Sequence, residues 1–302
     1  MSNHPAFVLQ PVTGKGLGIV AVRNIAAGET ILEEAPLFTQ TRGRCLQSVV
    51  DSLASKSTQE KRLYLQLSNC HRDRLPPLLG IFETNALPCG NNDGLSGHRA
   101  STAGVFLCGS RFNSSCVPNV NNRWDENKQA VEFRALKDIV SGEELCISYG
   151  SLLETGEMRR KELAAKFKFH CRCETCSLVG EKLAESEARR ARLKGLYHEI
   201  TLCSNYPAQG VKKVKLALRL LRDEGLVHYQ DSFCYDAFQL CVASSDRKHA
   251  NAWIQRACEA VRVVYGPDAE EQKQFEKYKR DPTSHVAWGI TSRMTLEGPD
   301  DL

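Results

Sequence analysis

Apolar positions in the first forty residues fall in short runs rich in Val, Ile and Leu. Phe7–Val12 and the runs at 17–25 and 30–38 are separated by Gly-containing turns, a pattern that predicts strands. The spacing changes after Arg42. Across 45–69 apolar residues recur at helical intervals, with Leu63, Leu67 and Cys70 on one side, which predicts helix. Residues 90–104 are poor in large apolar side chains and read as a loop. Beyond them, apolar segments broken by Asn, Ser and Pro lead to predicted strands at 130–136 and 145–149, parted by the Ser141-Gly142 turn. A helix is predicted over 155–167. After Leu178 the pattern becomes helical throughout, at 182–202, 211–223 and 250–265. The last carries Ile254, Ala257, Cys258, Val261 and Val264 along one face, a stripe expected in a core. Strands first and helices afterwards define an α+β chain.

Composition narrows the possibilities. A length of 302 residues suits one large domain or two smaller ones, and 42% hydrophobic with 25% charged residues is ordinary for a globular protein. The net charge of +4 comes without a concentrated basic stripe, so direct nucleic-acid binding is not expected. Arg189, Arg190 and Arg192 alternate with Glu185 and Glu187 and read as a solvated helix face. No apolar run approaches a bilayer span, and the first ten residues lack the look of a secretory signal. Thirteen cysteines cannot all pair, which suits a reducing compartment where thiols act as ligands or core residues.

Cys171, Cys173 and Cys176 form C-x-C-x-x-C on one short stretch. Thiolate is a preferred ligand of zinc, and a closed structural site takes four ligands, so a fourth must come from elsewhere in the chain. Three further motifs precede the cysteines: Gly14-Lys15-Gly16-Leu17, Asn113-Ser114-Ser115-Cys116 with Pro118-Asn119, and Gly142-Glu143-Glu144-Leu145 running on to Tyr149. Alone, the first reads as a tight turn and the third as a hairpin turn feeding a strand. The second crowds Asn, Ser and Pro between apolar segments, and buried polar side chains need partners, so it suggests a site.

In this order the motifs, with Asn85 in Phe82-Glu83-Thr84-Asn85-Ala86, resemble the SET-domain lysine methyltransferases. The branch is that of SET-and-MYND proteins and their fungal relatives. The resemblance covers residues 7–178 and implies a β-clip fold of small curved sheets with a pseudoknot, a helical insert and a post-SET zinc loop. An all-helical C-terminal region, packed as helical hairpins, would follow. The implied boundaries are 1–150 for the SET domain with its insert at about 43–104, 151–178 for the post-SET segment, and 179–302 for the helical domain.

The resemblance also assigns roles. Gly14, Lys15, Gly16 and Leu17 would meet the methionine part of S-adenosylmethionine, and Asn85 and Asn113 its amino-acid end or ribose. Ser114 would sit by the adenine with Phe169 packed against it. Tyr149 would be the catalytic tyrosine, and Cys116 would complete one structural zinc site with Cys171, Cys173 and Cys176. Ser114 stands where the family usually has His. Cys45, Cys70, His71, Cys89 and His98 form no C-x-x-C pair, so no MYND finger and no second zinc site are expected. The implied substrate is a lysine on a histone or non-histone protein, in nucleus or cytoplasm, met by a monomer without membrane attachment. The competing reading keeps the fold but not the catalysis, as an interaction module. Cys203, Cys234, Cys241 and Cys258 read as small core residues.

Overall fold

The computed structural model describes residues 6–90 and 99–299. Its chain begins with β1 (Phe7–Val12) and β2 (Gly16–Ala21), an antiparallel hairpin closed by a three-residue turn. Gly14 and Gly16 hold φ values of 74° and 77°, where a Cβ is poorly tolerated. The predicted strand at 30–38 is two strands, β3 (Thr30–Glu34) and β4 (Phe38–Thr41), which join different sheets. Pro36, lacking an N–H for a ladder, lies between them.

The predicted helix over 45–69 is also two, α1 (Leu46–Ala54) and α2 (Thr58–Leu65), followed by α3 (Pro77–Asn85). Ser57 restarts the helix: its hydroxyl accepts from Glu60 N–H while the Glu60 carboxylate accepts from Ser57 N–H. Strands β5 (Leu87–Cys89) and β6 (Thr102–Val105) pair with each other, and β6 pairs with β4. The stretch expected to be loop therefore ends in a strand. His98 lies outside the described residues.

Four strands complete the β region: β7 (Asn113–Ser114), β8 (Val120–Asp125), β9 (Ala130–Ala135) and β10 (Glu144–Ile147). The sheets run β1-β2-β10-β7, β3-β9-β8 and β4-β6-β5. Strand β10 is central to the first. It lies antiparallel to β2, with Leu145 opposite Ile19, and parallel to β7, with Cys146 opposite Asn113. Three motifs distant in sequence thus share one sheet. Beneath them Ile19, Phe112, Phe133, Leu145 and Ile147 are fully or almost fully buried. The Phe112 and Phe133 rings stack 4.3 Å apart. Helix α4 (Gly156–Phe167) then leads into the cysteine loop.

The chain divides into two compact units, Met1–Ser151 with Glu157–Cys176, and Leu152–Gly156 with Ser177–Leu302. The second contains α5 (Gly180–Thr201), α6 (Pro207–Asp223), α7 (Gln230–Ala243), α8 (Arg247–Val264) and α9 (Glu270–Arg280), consecutive helices packing on each other. The apolar face of α8 is core as expected, and the four cysteines of this unit are buried. The basic cluster of α5 departs from expectation. Arg190 is fully buried, its Nε donating to Glu224 at 2.8 Å and its Nη1 to the Leu152 carbonyl. A guanidinium takes that position because a carboxylate and a carbonyl satisfy its donors. No described helix is long and apolar enough to cross a membrane.

Candidate active site

The sulfurs of Cys116, Cys171, Cys173 and Cys176 all lie within 4.8 Å of one another, with Cys116 and Cys176 3.5 Å apart. A tetrahedral zinc–thiolate site, with bonds near 2.3 Å, separates its sulfurs by about 3.8 Å, so the four fit a four-coordinate thiophilic metal. Cys116, Cys171 and Cys173 are buried. Hydrogen bonding among the sulfurs, led by Cys116, holds the Cys173 thiol far below its ordinary range, and the same contacts, led by Cys171, push Cys116 far above it. Four thiolates this close repel one another unless a cation lies among them.

Arg159 of α4 is buried beside them. Burial opposes its charge, but the field of Cys116 and hydrogen bonds to Cys116 and Cys176 outweigh that and raise its pKa. Sequence reasoning missed this residue. Around it α4 reads Glu-Met-Arg-Arg-Lys-Glu, and nothing in that charged run distinguishes the one arginine turned inward.

Tyr149 follows β10. Its hydroxyl donates to the Phe112 carbonyl at 2.6 Å, and its backbone N–H donates to Ser114 Oγ at 3.3 Å. Burial pushes the phenol pKa up, and the nearby Cys146 and Glu144 push it the same way, so the hydroxyl keeps its proton. Phe167 packs on the ring at 4.8 Å, and Phe169 meets it edge-on at 6.4 Å. Lys168, with φ of 58°, makes the bend that brings both phenylalanines to one tyrosine. Phe167 was not singled out from the sequence, although the Phe167-Lys168-Phe169 alternation offered a signal.

The opposite end of β10 meets the glycine turn. Lys15 Nζ lies 2.6 Å from Glu144 Oε2 and 4.0 Å from Cys146 Sγ. Burial works to lower the Lys15 pKa, but the Glu144 hydrogen bond and the nearby Cys146 outweigh it and raise it. Asn113 Nδ2 donates to Glu144 Oε1 at 2.9 Å and to the Leu17 carbonyl at 3.3 Å. Gly18 permits this approach: a Cβ there would stand 2.6 Å from Asn113 Nδ2, 2.8 Å from Val12 Cγ2 and 3.0 Å from Glu144 Oε1. Gly18 and Glu144 are additions to the sequence-derived set. The third glycine of Gly14-Lys15-Gly16-Leu17-Gly18 was their available signal.

The structure gathers Lys15, Leu17, Asn113, Ser114, Tyr149, Phe169 and the four cysteines on β7, β10 and the segments that flank them. Gly14 and Gly16 form the adjoining turn, with open space where their Cβ atoms would be. Asn85 is engaged elsewhere. It is buried, and its Nδ2 donates to the Ser68 carbonyl at 2.6 Å and the Ile81 carbonyl at 2.7 Å, joining α3 to the segment after α2.

A SET-domain family model matches residues 16–150. The chain is 31% identical over 299 residues to histone-lysine N-methyltransferase set5 of Schizosaccharomyces pombe, covering 97% of this chain and 90% of that one. It is 26% identical over 220 residues to a SET domain-containing protein of Acanthamoeba polyphaga mimivirus, covering 64% and 85%. Mouse (Mus musculus) histone-lysine N-methyltransferase Smyd1 is 27% identical over 225 residues, covering 63% of this chain and 42% of its own. The chain belongs to the SET-domain family, whose members transfer methyl groups from S-adenosylmethionine to lysine. It is a protein-lysine methyltransferase with relatives in the SET-and-MYND branch.

Proposed function

We propose that this enzyme methylates a lysine of a histone or another protein of the nucleus or cytoplasm, using Tyr149 as its catalytic residue. We further propose that the cysteine tetrad holds one structural zinc ion. S-adenosylmethionine, when bound, supplies a methyl group already activated on a sulfonium. What is left to the protein is to present a neutral amine in line with it.

The observation that carries this reading is the state of the Tyr149 hydroxyl. It keeps its proton and spends it on the Phe112 carbonyl, which leaves its oxygen lone pairs to accept an N–H from an incoming amine. Tyr149 thereby orients the lysine nitrogen and need not act as a base. A free lysine amine is neutral only about once in a thousand at physiological pH, a cost of about 4 kcal/mol. The apolar walls of Phe167 and Phe169 lower that cost by disfavouring the ammonium. Holding the amine in line contributes several kcal/mol more.

Lys15, Asn113 and the Gly14–Gly16 turn would receive the amino-acid end of the cofactor, while Ser114 and Phe169 would border its adenine. Ser114 Oγ already supports the Tyr149 backbone, so a serine at this position remains compatible with catalysis. Cys116, Cys171, Cys173 and Cys176 would hold the zinc and so fix Phe169 against Tyr149. Asn85, whose amide nitrogen serves the Ser68 and Ile81 carbonyls, is left out of the proposed cofactor contacts. The proposed boundaries remain 1–150, 151–178 and 179–302.

The test is transfer of isotopically labelled methyl to core histones and to fractionated cell protein, read at individual lysines by mass spectrometry. The expected result is lysine methylation by the wild type. In Tyr149→Phe, turnover falls by about a hundredfold or more, as for loss of a transition-state hydrogen bond. S-adenosylhomocysteine affinity should stay within about twofold. Equal turnover by both proteins would remove Tyr149 from the mechanism.

A further inference from the structure

We infer that Glu144 is a positioning residue for the cofactor: it fixes the Asn113 amide so that the amide oxygen, not the nitrogen, is offered to the α-ammonium of the cofactor's amino-acid end. The inference rests on the methyltransferase reading above and concerns a residue to which that reading gives no task.

A side-chain amide has one donor end and one acceptor end, and they exchange places when the group turns over. Which end faces a ligand is decided by what holds the other. Asn113 Nδ2 faces the Leu17 carbonyl at 3.3 Å and Glu144 Oε1 at 2.9 Å. Both partners are acceptors. A carbonyl is so always, and a carboxylate is so while ionised. Turning the amide over would set its oxygen against two other oxygens, one of them charged. The Asn113 oxygen is therefore the atom free to receive a donor, which an α-ammonium supplies.

Lys15 keeps Glu144 in that role. Its Nζ lies 2.6 Å from the other carboxylate oxygen, so Glu144 is held at both ends. An ammonium has three donors, and one goes to Glu144. A second faces Cys146 Sγ at 4.0 Å, and the third remains for an α-carboxylate. Glu144 thus spans two groups of opposite preference, an acceptor on one side and a donor on the other, as the two ends of a zwitterionic amino acid require. Gly18 admits the bridge, since a Cβ there would crowd Asn113 and Glu144 together.

The experiment compares S-adenosylhomocysteine with its deaminated analogue, which keeps the carboxylate and lacks only the α-amine. Affinities are measured by calorimetry on the full chain. In Glu144→Gln the new amide accepts or donates, so the Asn113 orientation is no longer imposed. S-adenosylhomocysteine should then bind about tenfold more weakly, and the deaminated analogue within about twofold of its wild-type value. If Glu144→Gln melts early without ligand, Glu144→Asp serves instead. Its carboxylate is one methylene short of Asn113, and the same pattern is expected. Equal losses for both ligands would make Glu144 a merely structural residue and overturn the inference, as would no loss for either. A wild-type protein that binds neither ligand would overturn the methyltransferase reading first and this inference with it.

Discussion

At the scale of single residues, the site depends on small atoms kept small. Gly18 has no room for a methyl group, because Asn113, Val12 and Glu144 all stand within 3.0 Å of the place it would occupy. Gly18→Ala is expected to push Asn113 out of register and weaken S-adenosylhomocysteine roughly tenfold, with the fold retained, as read by calorimetry and circular dichroism. The helical unit offers a different residue-scale test. Asp231 is buried, which raises its pKa to about 6, and only its own backbone N–H and that of Ser232 pull it back down. A folded-state value above the ordinary 3.8 means that the protonated form favours folding, and that this advantage is lost as pH rises from about 4 through 6. Asp231→Asn should therefore stabilise the protein by about 1–3 kcal/mol at pH 8, a gain that fades toward pH 4 in denaturation curves. Tyr149 and the four cysteines stood out in the sequence because each belongs to a motif whose chemistry needs that residue type, and the structure brings the four sulfurs together. Glu144 was quoted in its motif but taken as part of a turn. Its meaning is set by Lys15 and Asn113, 129 and 31 positions away, and such distant pairings leave no local signal.

Among the elements, α4 and the cysteine loop after it decide whether Phe167 and Phe169 reach Tyr149. The helix was predicted from its pattern and found at Gly156–Phe167. Its inward face was not readable, since Arg159 is one charged residue among several. A four-thiolate site with a divalent ion carries two net negative charges, and a buried guanidinium offsets part of that. Arg159→Met preserves the side chain's bulk and removes its charge. The variant should bind metal at the same stoichiometry but lose it to a chelator at about tenfold lower concentration, followed by metal analysis. Cys173→Ser should lose the metal altogether, and with it S-adenosylhomocysteine binding, because metal binding supplies ordering free energy for the loop. Retained cofactor affinity in a metal-free variant would separate the loop from the site. Other elements were misread for local reasons. Pro36 split one expected strand, the Ser57 cap split one expected helix, and β6 was hidden because Thr102, Ala103 and Gly104 offer almost no apolar pattern.

On the scale of the whole molecule, the shift after Leu178 from mixed to helical patterning announced the second unit, and the packing of α5 through α9 follows from amphipathic stripes such as that of α8. What patterning could not give was the assignment of Leu152–Gly156 to that unit. The buried Arg190 donates to the Leu152 carbonyl, and Lys194 Nζ lies 2.6 Å from Glu154, contacts that bind this short segment to α5. The sheet order was likewise beyond periodicity. Strand β10 lies between β2 and β7, one antiparallel and one parallel to it, and this arrangement converts scattered motifs into one site. A ligand that binds only the folded enzyme must stabilise it. S-adenosylhomocysteine at about a hundred times its dissociation constant should add close to 2.7 kcal/mol and raise the melting temperature, and no shift at that excess would leave the site without its cofactor.

The most direct test of the whole is a crystal structure with S-adenosylhomocysteine, with diffraction recorded on both sides of the zinc absorption edge. The account predicts an anomalous peak about 2.3 Å from each of the four cysteine sulfurs. It also predicts the ligand's ammonium against Asn113, its carboxylate against Lys15, and the Tyr149 hydroxyl facing its sulfur. A tetrad without metal, or a ligand seated away from β7 and β10, would contradict it.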